Sequence, residues 1–326
     1  MKRGLGLVLL AVLLGGCGVN TAATDPEAVP TALSRALPTP EPASTPAASA
    51  SPECDDAASS YDPLPKVLTP EQFPAGSTLA KIRARGRLIV GTAGDKPLLS
   101  VRDPQTGQLR GIDIEIARAM AKAILGDENA IEFRTITYGA REQVLTSGEV
   151  DLVAHSMTMT CDRWQRVGFS AEYYRDGQRL LVRTDSKVKQ VENLAKSGGS
   201  VCVATGTTTI DNLRALGVKN IVAVDDAADC LAYFQRDEVD AITSNVLILL
   251  GYQLQDKYAR IVGRPLSDEP IALGFRKDDV QFIRFANAVL ARMRADGSLQ
   301  RIFSTAMTGL GEKPNLGEPV YGRSEG

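Results

Sequence analysis

The sequence predicts an α/β protein made of two similar lobes, and three observations carry that expectation. Short β-branched runs alternate with helical stretches from Arg87 onward. About 250 residues follow a proline-rich opening, enough to bury a sizeable core in one or two domains. One short pattern occurs twice, as Glu149-Val150-Asp151-Leu152-Val153 and as Glu238-Val239-Asp240-Ala241-Ile242. Each copy follows a helical stretch and opens a strand, as two related lobes would require.

Taken in order, the chain begins with Lys2 and Arg3 ahead of an apolar run from Leu5 to Leu14, then Gly15-Gly16-Cys17. That run is too short to span a bilayer as a mature helix. A basic start, a short apolar segment and small residues before a cysteine predict a signal peptide over 1–16. Cys17 fits a lipobox and is the expected lipidation site, placing the protein on the extracytoplasmic face of the cell membrane. Residues 17–74, rich in Pro, Ala, Ser and Thr, read as a tether. A formal charge of −2 and the lack of a long basic run argue against nucleic acid and leave a small-molecule role.

Arg87-Leu88-Ile89-Val90-Gly91-Thr92 reads as a buried parallel strand. Ile112, Ile116, Ala119, Met120, Ala123 and Ile124 recur at helical spacing, with Asp113, Glu115, Arg118 and Lys122 mainly off that face and Gly126 as the stop. Further strands are expected at Ile131–Thr137, Val150–Ala154, Gln178–Arg183, Ser200–Ala204, Asn220–Val224 and Val239–Thr243. Phe282, Phe285, Ala286, Val289, Leu290 and Met293 form a helical core stripe.

Beyond Cys17 stand Cys54, Cys161, Cys202 and Cys230, an even number in an exported chain, so two disulfides are expected. Three pairings are possible. Cys202 with Cys230 is favoured because both fall in one lobe, leaving Cys54 with Cys161 to staple the tether to the other. No CxxC motif points to zinc or redox chemistry.

Gly111-Ile112-Asp113-Ile114-Glu115-Ile116, continued by Met120, Ala121 and Ile124, is the most specific segment. With Gly148-Glu149-Val150-Asp151, Thr158-Met159-Thr160-Cys161-Asp162-Arg163, and Gly168-Phe169-Ser170 leading to Tyr173-Tyr174, it resembles the extracellular solute-binding proteins of family 3, which bind polar amino acids for ABC importers. The resemblance runs from Leu79 to Thr308. The lipobox, tether and cysteine placement are similar to those of actinobacterial glutamine/glutamate-binding lipoproteins.

The resemblance implies a type II periplasmic-binding-protein-like Venus-flytrap, two α/β lobes joined by two hinge strands. The first lobe would take 75–183 and 270–310, the second 184–269, and 311–326 would form a tail. Crossings are expected near Arg183-Thr184 and Pro270-Ile271.

A zwitterion taken out of water needs a forked cation for its carboxylate and acceptors for its ammonium. By motif position Arg163 looks like the carboxylate arginine, with Thr158 adding a hydroxyl. Ser156 stands where the family often has Gly, whose carbonyl usually faces the ammonium. Thr205-Gly206-Thr207-Thr208-Thr209 opens a helix, and Thr208 is the expected contact there. Two departures stand out. Asn245 replaces an Asp that commonly pairs with the ammonium, and Thr92-Ala93-Gly94-Asp95-Lys96 replaces a stretch that often carries an Asp and an aromatic, so Asp95 is expected to reach in from a shifted position. Lys96 reads as solvated, His155 as a packed or rim residue, and Trp164 as core.

The expected function is capture of a polar amino acid of the glutamine, glutamate, asparagine or aspartate type, by a monomer, for an ABC permease. The alternative is a sensor lipoprotein that engages a membrane receptor instead. An enzyme on the same fold, such as a cyclohexadienyl dehydratase, would need a placed general acid, and apart from Asp95 none is evident. No catalytic, metal or cofactor set can be assembled from these residues.

Overall fold

The structure, a computed structural model, describes residues 56–311 and 313–325. The expected signal peptide, Cys17, Cys54 and the first part of the tether lie outside the described residues. From Asp56 to Pro74 the chain lies on the first lobe rather than continuing as a tether. Apolar and hydrogen-bonding groups explain the difference. Tyr61 is buried, Asn287 Nδ2 donates to Ser60 Oγ at 2.9 Å and to the Tyr61 carbonyl at 2.7 Å, and Phe73 meets Phe285 edge-on at 5.7 Å.

Helix α1 (Thr78–Arg85) starts on Ser77, whose Oγ accepts from Ala80 N, and leads into β1 (Leu88–Thr92), buried at every residue. Strands β2 (Asp95–Lys96), β3 (Ser100–Arg102) and β4 (Leu109–Arg110) form a small antiparallel sheet. Next come α2 (Ile112–Leu125), β5 (Ile131–Thr135), α3 (Arg141–Thr146), β6 (Leu152–Thr158), α4 (Cys161–Trp164), β7 (Val167–Phe169) and β8 (Tyr174–Asp176). Gly111 must be glycine: its φ is 128°, and a Cβ there would lie 2.4 Å from the Leu99 carbonyl oxygen. Helix α2 buries Ile112, Ile116, Met120 and Ile124. It also buries Asp113, which the helical pattern had placed off the apolar face.

The second lobe holds β9 (Gln178–Arg183), α5 (Val191–Ser197), β10 (Ser200–Ala204), α6 (Thr209–Ala215), β11 (Asn220–Val224), α7 (Ala227–Gln235), β12 (Ala241–Asn245), α8 (Val246–Gln255) and β13 (Ala259–Val262). The chain then returns through β14 (Glu269–Arg276), α9 (Val280–Ala295) and α10 (Ser298–Ala306). The first sheet has the order β5-β1-β6-β14-β7, with β8 paired to β14, and the second the order β11-β10-β12-β9-β13. In both, the first parallel strand is central, the second and third flank it, and an antiparallel strand follows the third.

The repeated Glu-Val-Asp pattern has a shared physical cause in these sheets. Asp151 Oδ2 accepts from Ile89 N at 2.7 Å, and Asp240 Oδ2 accepts from Ser200 N at 2.7 Å, each pinning the third strand to the start of the first.

Strand β9 pairs with β12 and β13, so the chain changes sheets at Gly177 and not at Arg183-Thr184. A short apolar run such as Leu180 to Val182 carries no mark of which sheet it joins. The return lies between Val262 and Glu269, and Pro270 and Ile271 are already inside β14. A disulfide joins Cys202 to Cys230 across β10 and α7. Cys161 is also disulfide-bonded; the partner expected for it, Cys54, lies outside the described residues. No described helix is long and apolar enough to cross a membrane.

Candidate functional site

The ends of β6, α3 and α4 in the first lobe meet the β10–α6 loop of the second. Arg141 and Arg163, 2% and 6% exposed, converge there on one atom, the Gly206 carbonyl oxygen, with Nη2 distances of 2.9 and 3.2 Å. Arg163 Nη1 also donates to the Thr158 carbonyl at 2.8 Å, and Glu142 Oε1 stands 3.4 Å from its Nε. Arg141 Nη1 donates to the carbonyls of His155 and Ser156, both at 3.2 Å. Burial lowers both guanidinium pKa values, and the positive charge of Arg163 helps bring Arg141 down to about 9. Two buried cations sharing one neutral carbonyl make an electropositive pole that an anion would satisfy better.

A second pole lies beside the first. Glu269, 2% exposed at the start of β14, accepts from Thr158 Oγ1 at 2.7 Å, Asn245 Nδ2 at 3.1 Å, Thr208 Oγ1 at 3.2 Å and Ser267 Oγ at 2.8 Å. Thr158 therefore touches both poles, its carbonyl on Arg163 and its hydroxyl on Glu269. Thr208 and Asn245 occupy the N-cap positions of α6 and α8, yet neither side chain caps its helix. Asp176, at the crossing, takes that role for α8, accepting from Val246 N at 3.1 Å and Leu247 N at 3.2 Å. The amide of Asn245 is thereby left to reach Glu269.

Ser156 has a φ of 43°, in the left-handed region that favours glycine, which accounts for the residue the family often places there. Its N–H donates to Asp113 Oδ2 at 3.1 Å, and Tyr173 Oη donates to Asp113 Oδ1 at 2.6 Å. Burial raises the Asp113 carboxyl to about 6 despite these donors.

Asp95 is not brought to Arg163, Thr158, Thr208 or Asn245. It lies against Lys96 and, with Lys96, Tyr138, His155 and Asp226, lines a cavity of about 330 Å³ between the lobes. The hydrophilic loop sequence suggested a solvated lysine, but Lys96 is 3% exposed. It pairs with Asp95 and with Asp226 at 3.5 Å, and lies 5.5 Å from the Tyr138 ring centroid. Burial, then the hydrogen bond with Asp226, raises Asp95 to about 6.

His155 stacks on Tyr138 with ring centroids 4.4 Å apart, and neither ring nitrogen has a hydrogen-bond partner among the described residues. Burial, reinforced by Arg141 and Lys96, holds its pKa well below the usual value. Trp164 packs edge-on against Phe169 at 5.1 Å and donates its Nε1–H to the Ala57 carbonyl at 2.8 Å.

Arg141, Glu269 and Gly206 were not singled out from the sequence. Arg141 opens a helix and Glu269 a strand, positions where a charged residue is usually solvated, and contacts with segments distant in sequence bury them.

Two α/β lobes of like topology, joined by two crossings, with charged side chains of the first meeting polar groups of the second, define a cleft protein of the solute-binding class. The chain belongs to the bacterial extracellular solute-binding proteins, family 3, matching that family over residues 88–308. It is 37% identical over 209 residues to the glutamine-binding protein of Geobacillus stearothermophilus, covering 64% of this chain and 79% of that one. To the glutamate-binding protein GluB of Corynebacterium glutamicum it is 31% identical over 254 residues, covering 74% and 82%. Among solved structures it is similar to the ancestral amino acid-binding protein AncCDT-1, a precursor of cyclohexadienyl dehydratase, at 30% identity and a TM-score of 0.65, covering 70% of this chain and 99% of that one. The type II periplasmic binding-protein fold expected from the sequence is the fold observed.

Proposed function

We propose that this protein captures a small polar α-amino acid, of the glutamine or glutamate type, between its lobes and presents it to an ABC permease while held to the membrane through a lipid on Cys17. The observation that carries the reading is the convergence of Arg141 and Arg163 on the Gly206 carbonyl. A ligand carboxylate placed there would accept bidentate, charge-assisted hydrogen bonds in place of a single neutral acceptor. Closure then follows from differential affinity, since only the closed form brings both lobes onto the ligand. The cavity beside Lys96, Tyr138 and His155 offers space for the side chain, with Asp95, Lys96 and Asp226 as polar groups on its wall. The names of the relatives support the amino acid class, and the Leu14-Gly15-Gly16-Cys17 sequence supports the anchor.

The test is a thermal-shift screen of the protein against the common L-amino acids. Selective stabilisation by glutamine, glutamate or a close analogue is expected, about 2.7 kcal/mol at a hundred times the dissociation constant. Arg163→Ala should abolish it. A wild-type protein indifferent to every amino acid would overturn the reading. For the anchor, labelled palmitate should enter the wild-type chain and not Cys17→Ser.

A further inference from the structure

The proposed zwitterion reader has a cation for the ligand's carboxylate, but the residue in the usual ammonium-pairing position, Asn245, is neutral. Next to it, in the same cleft, stands a buried carboxylate whose charge has no ion-pair partner within 4 Å among the described residues. Glu269 is held by four neutral donors, two hydroxyls and an amide from the two lobes and the Ser267 hydroxyl from the crossing. Arg141 and Arg163 act on Glu269 through their field, but neither forms an ion pair with it, and a buried carboxylate is costly unless a cation reaches it directly. Hydroxyls are donors and acceptors alike, so Thr158, Thr208 and Ser267 can turn to accept from a cation that enters, and Asn245 can offer its amide oxygen.

Resting on the reading above, we infer that Glu269 receives the ligand's α-ammonium, supplying from the returning strand the charge that Asn245 lacks. The geometry fits an α-amino acid because one residue spans the two poles: Thr158 binds Arg163 through its carbonyl and Glu269 through its hydroxyl. The anion and cation sites thus flank the same residue, Thr158. Glu269 also accepts from Thr208 and Asn245 of the second lobe, so ammonium binding there would couple to lobe closure.

Isothermal titration of the full-length protein in detergent tests this, using L-glutamine and L-glutamate against their desamino counterparts, glutaramate and glutarate. Glu269→Gln should weaken both amino acids on the order of ten- to hundredfold, the difference between a charge-assisted and a neutral hydrogen bond. It should leave the desamino compounds bound no more weakly than before. The exchange Asn245→Asp with Glu269→Gln returns one carboxylate to the cluster and should recover the preference for the amino acids. It also serves as the decisive variant if Glu269→Gln alone does not fold. Unchanged amino acid affinity in Glu269→Gln, an equal loss for the desamino compounds, or an exchange variant without preference would overturn the inference. Wild-type protein that binds neither amino acid would overturn the underlying reading and the inference with it.

Discussion

Gly206 shows how much of the cleft depends on one missing methyl group. Its φ is 67°, and a Cβ there would lie 2.6 Å from Gly139 Cα and 2.9 Å from Gly139 N, both backbone atoms that cannot swing aside. Gly206→Ala should therefore keep the lobes apart, remove the shared acceptor from Arg141 and Arg163, and lower ligand affinity by about tenfold or more, with about 1–2 kcal/mol of backbone strain besides. Gly139→Ala is the control, because a Cβ at that position meets nothing within 4 Å. Calorimetric titration of both variants checks this, and equal affinities would refute it. Among the candidate residues, Arg163, Thr158, Thr208 and Asn245 could be named from motif position, since each sits at a fixed offset from a strand or helix end. Glu269 and Arg141 could not, because their burial arises only from contact between segments distant in sequence. Asp95 lines the cavity beside Lys96 and not the arginine cluster, because Lys96 is buried and holds it, and nothing in a loop sequence announces a buried lysine.

At the level of elements, the two crossings are more than connections. Asp176 ends β8, and its carboxylate binds the first N–H groups of α8, so the hinge is clamped to a helix of the second lobe. Asp176→Ala would leave those groups without their acceptor and should cost about 1–3 kcal/mol in urea denaturation. A loss below about 0.5 kcal/mol would show that α8 is held otherwise. The strands and helices themselves were readable because their periodicity is local: β10 and β11 match the expected spans, and α2 ends at Gly126, whose φ of 81° lets it cap the helix. The point at which the chain changes sheets was not readable. Gln178–Arg183 has the same apolar centre, Leu180 to Val182, whichever lobe it joins, and pairing with β12 and β13 decides the matter. The disulfide across β10 and α7 adds about 3 kcal/mol by closing a loop in the unfolded chain, so reduction should lower the midpoint of unfolding by several degrees.

For the whole molecule, acid works in two directions. Asp113 and Asp176 are raised to about 6, chiefly by burial. A raised carboxyl contributes stability that is full below its unfolded value near 3.8 and is lost as pH rises through about 6. His155 acts oppositely: its pKa is lowered by burial, so the unfolded chain takes up a proton below about 6.5 that the native chain refuses. Acidification from pH 7 to pH 5 thus gains on the carboxyls and loses on the imidazole. Replacing His155 by Leu should remove the loss, making the gain over that interval larger than in the wild type. Denaturation at the two pH values checks this, and parallel pH profiles would refute it. One further feature governs how such a molecule bears a load. Ser59 pairs with Val320, Arg323 N donates to the Ser60 carbonyl at 3.0 Å, and the Arg323 guanidinium covers Trp164 at 3.8 Å, so both ends of the described fold are stitched to one flank of the first lobe. Under the proposed anchoring through Cys17, a pull from the amino-terminal side would load that flank of the first lobe and leave the second lobe outside its path.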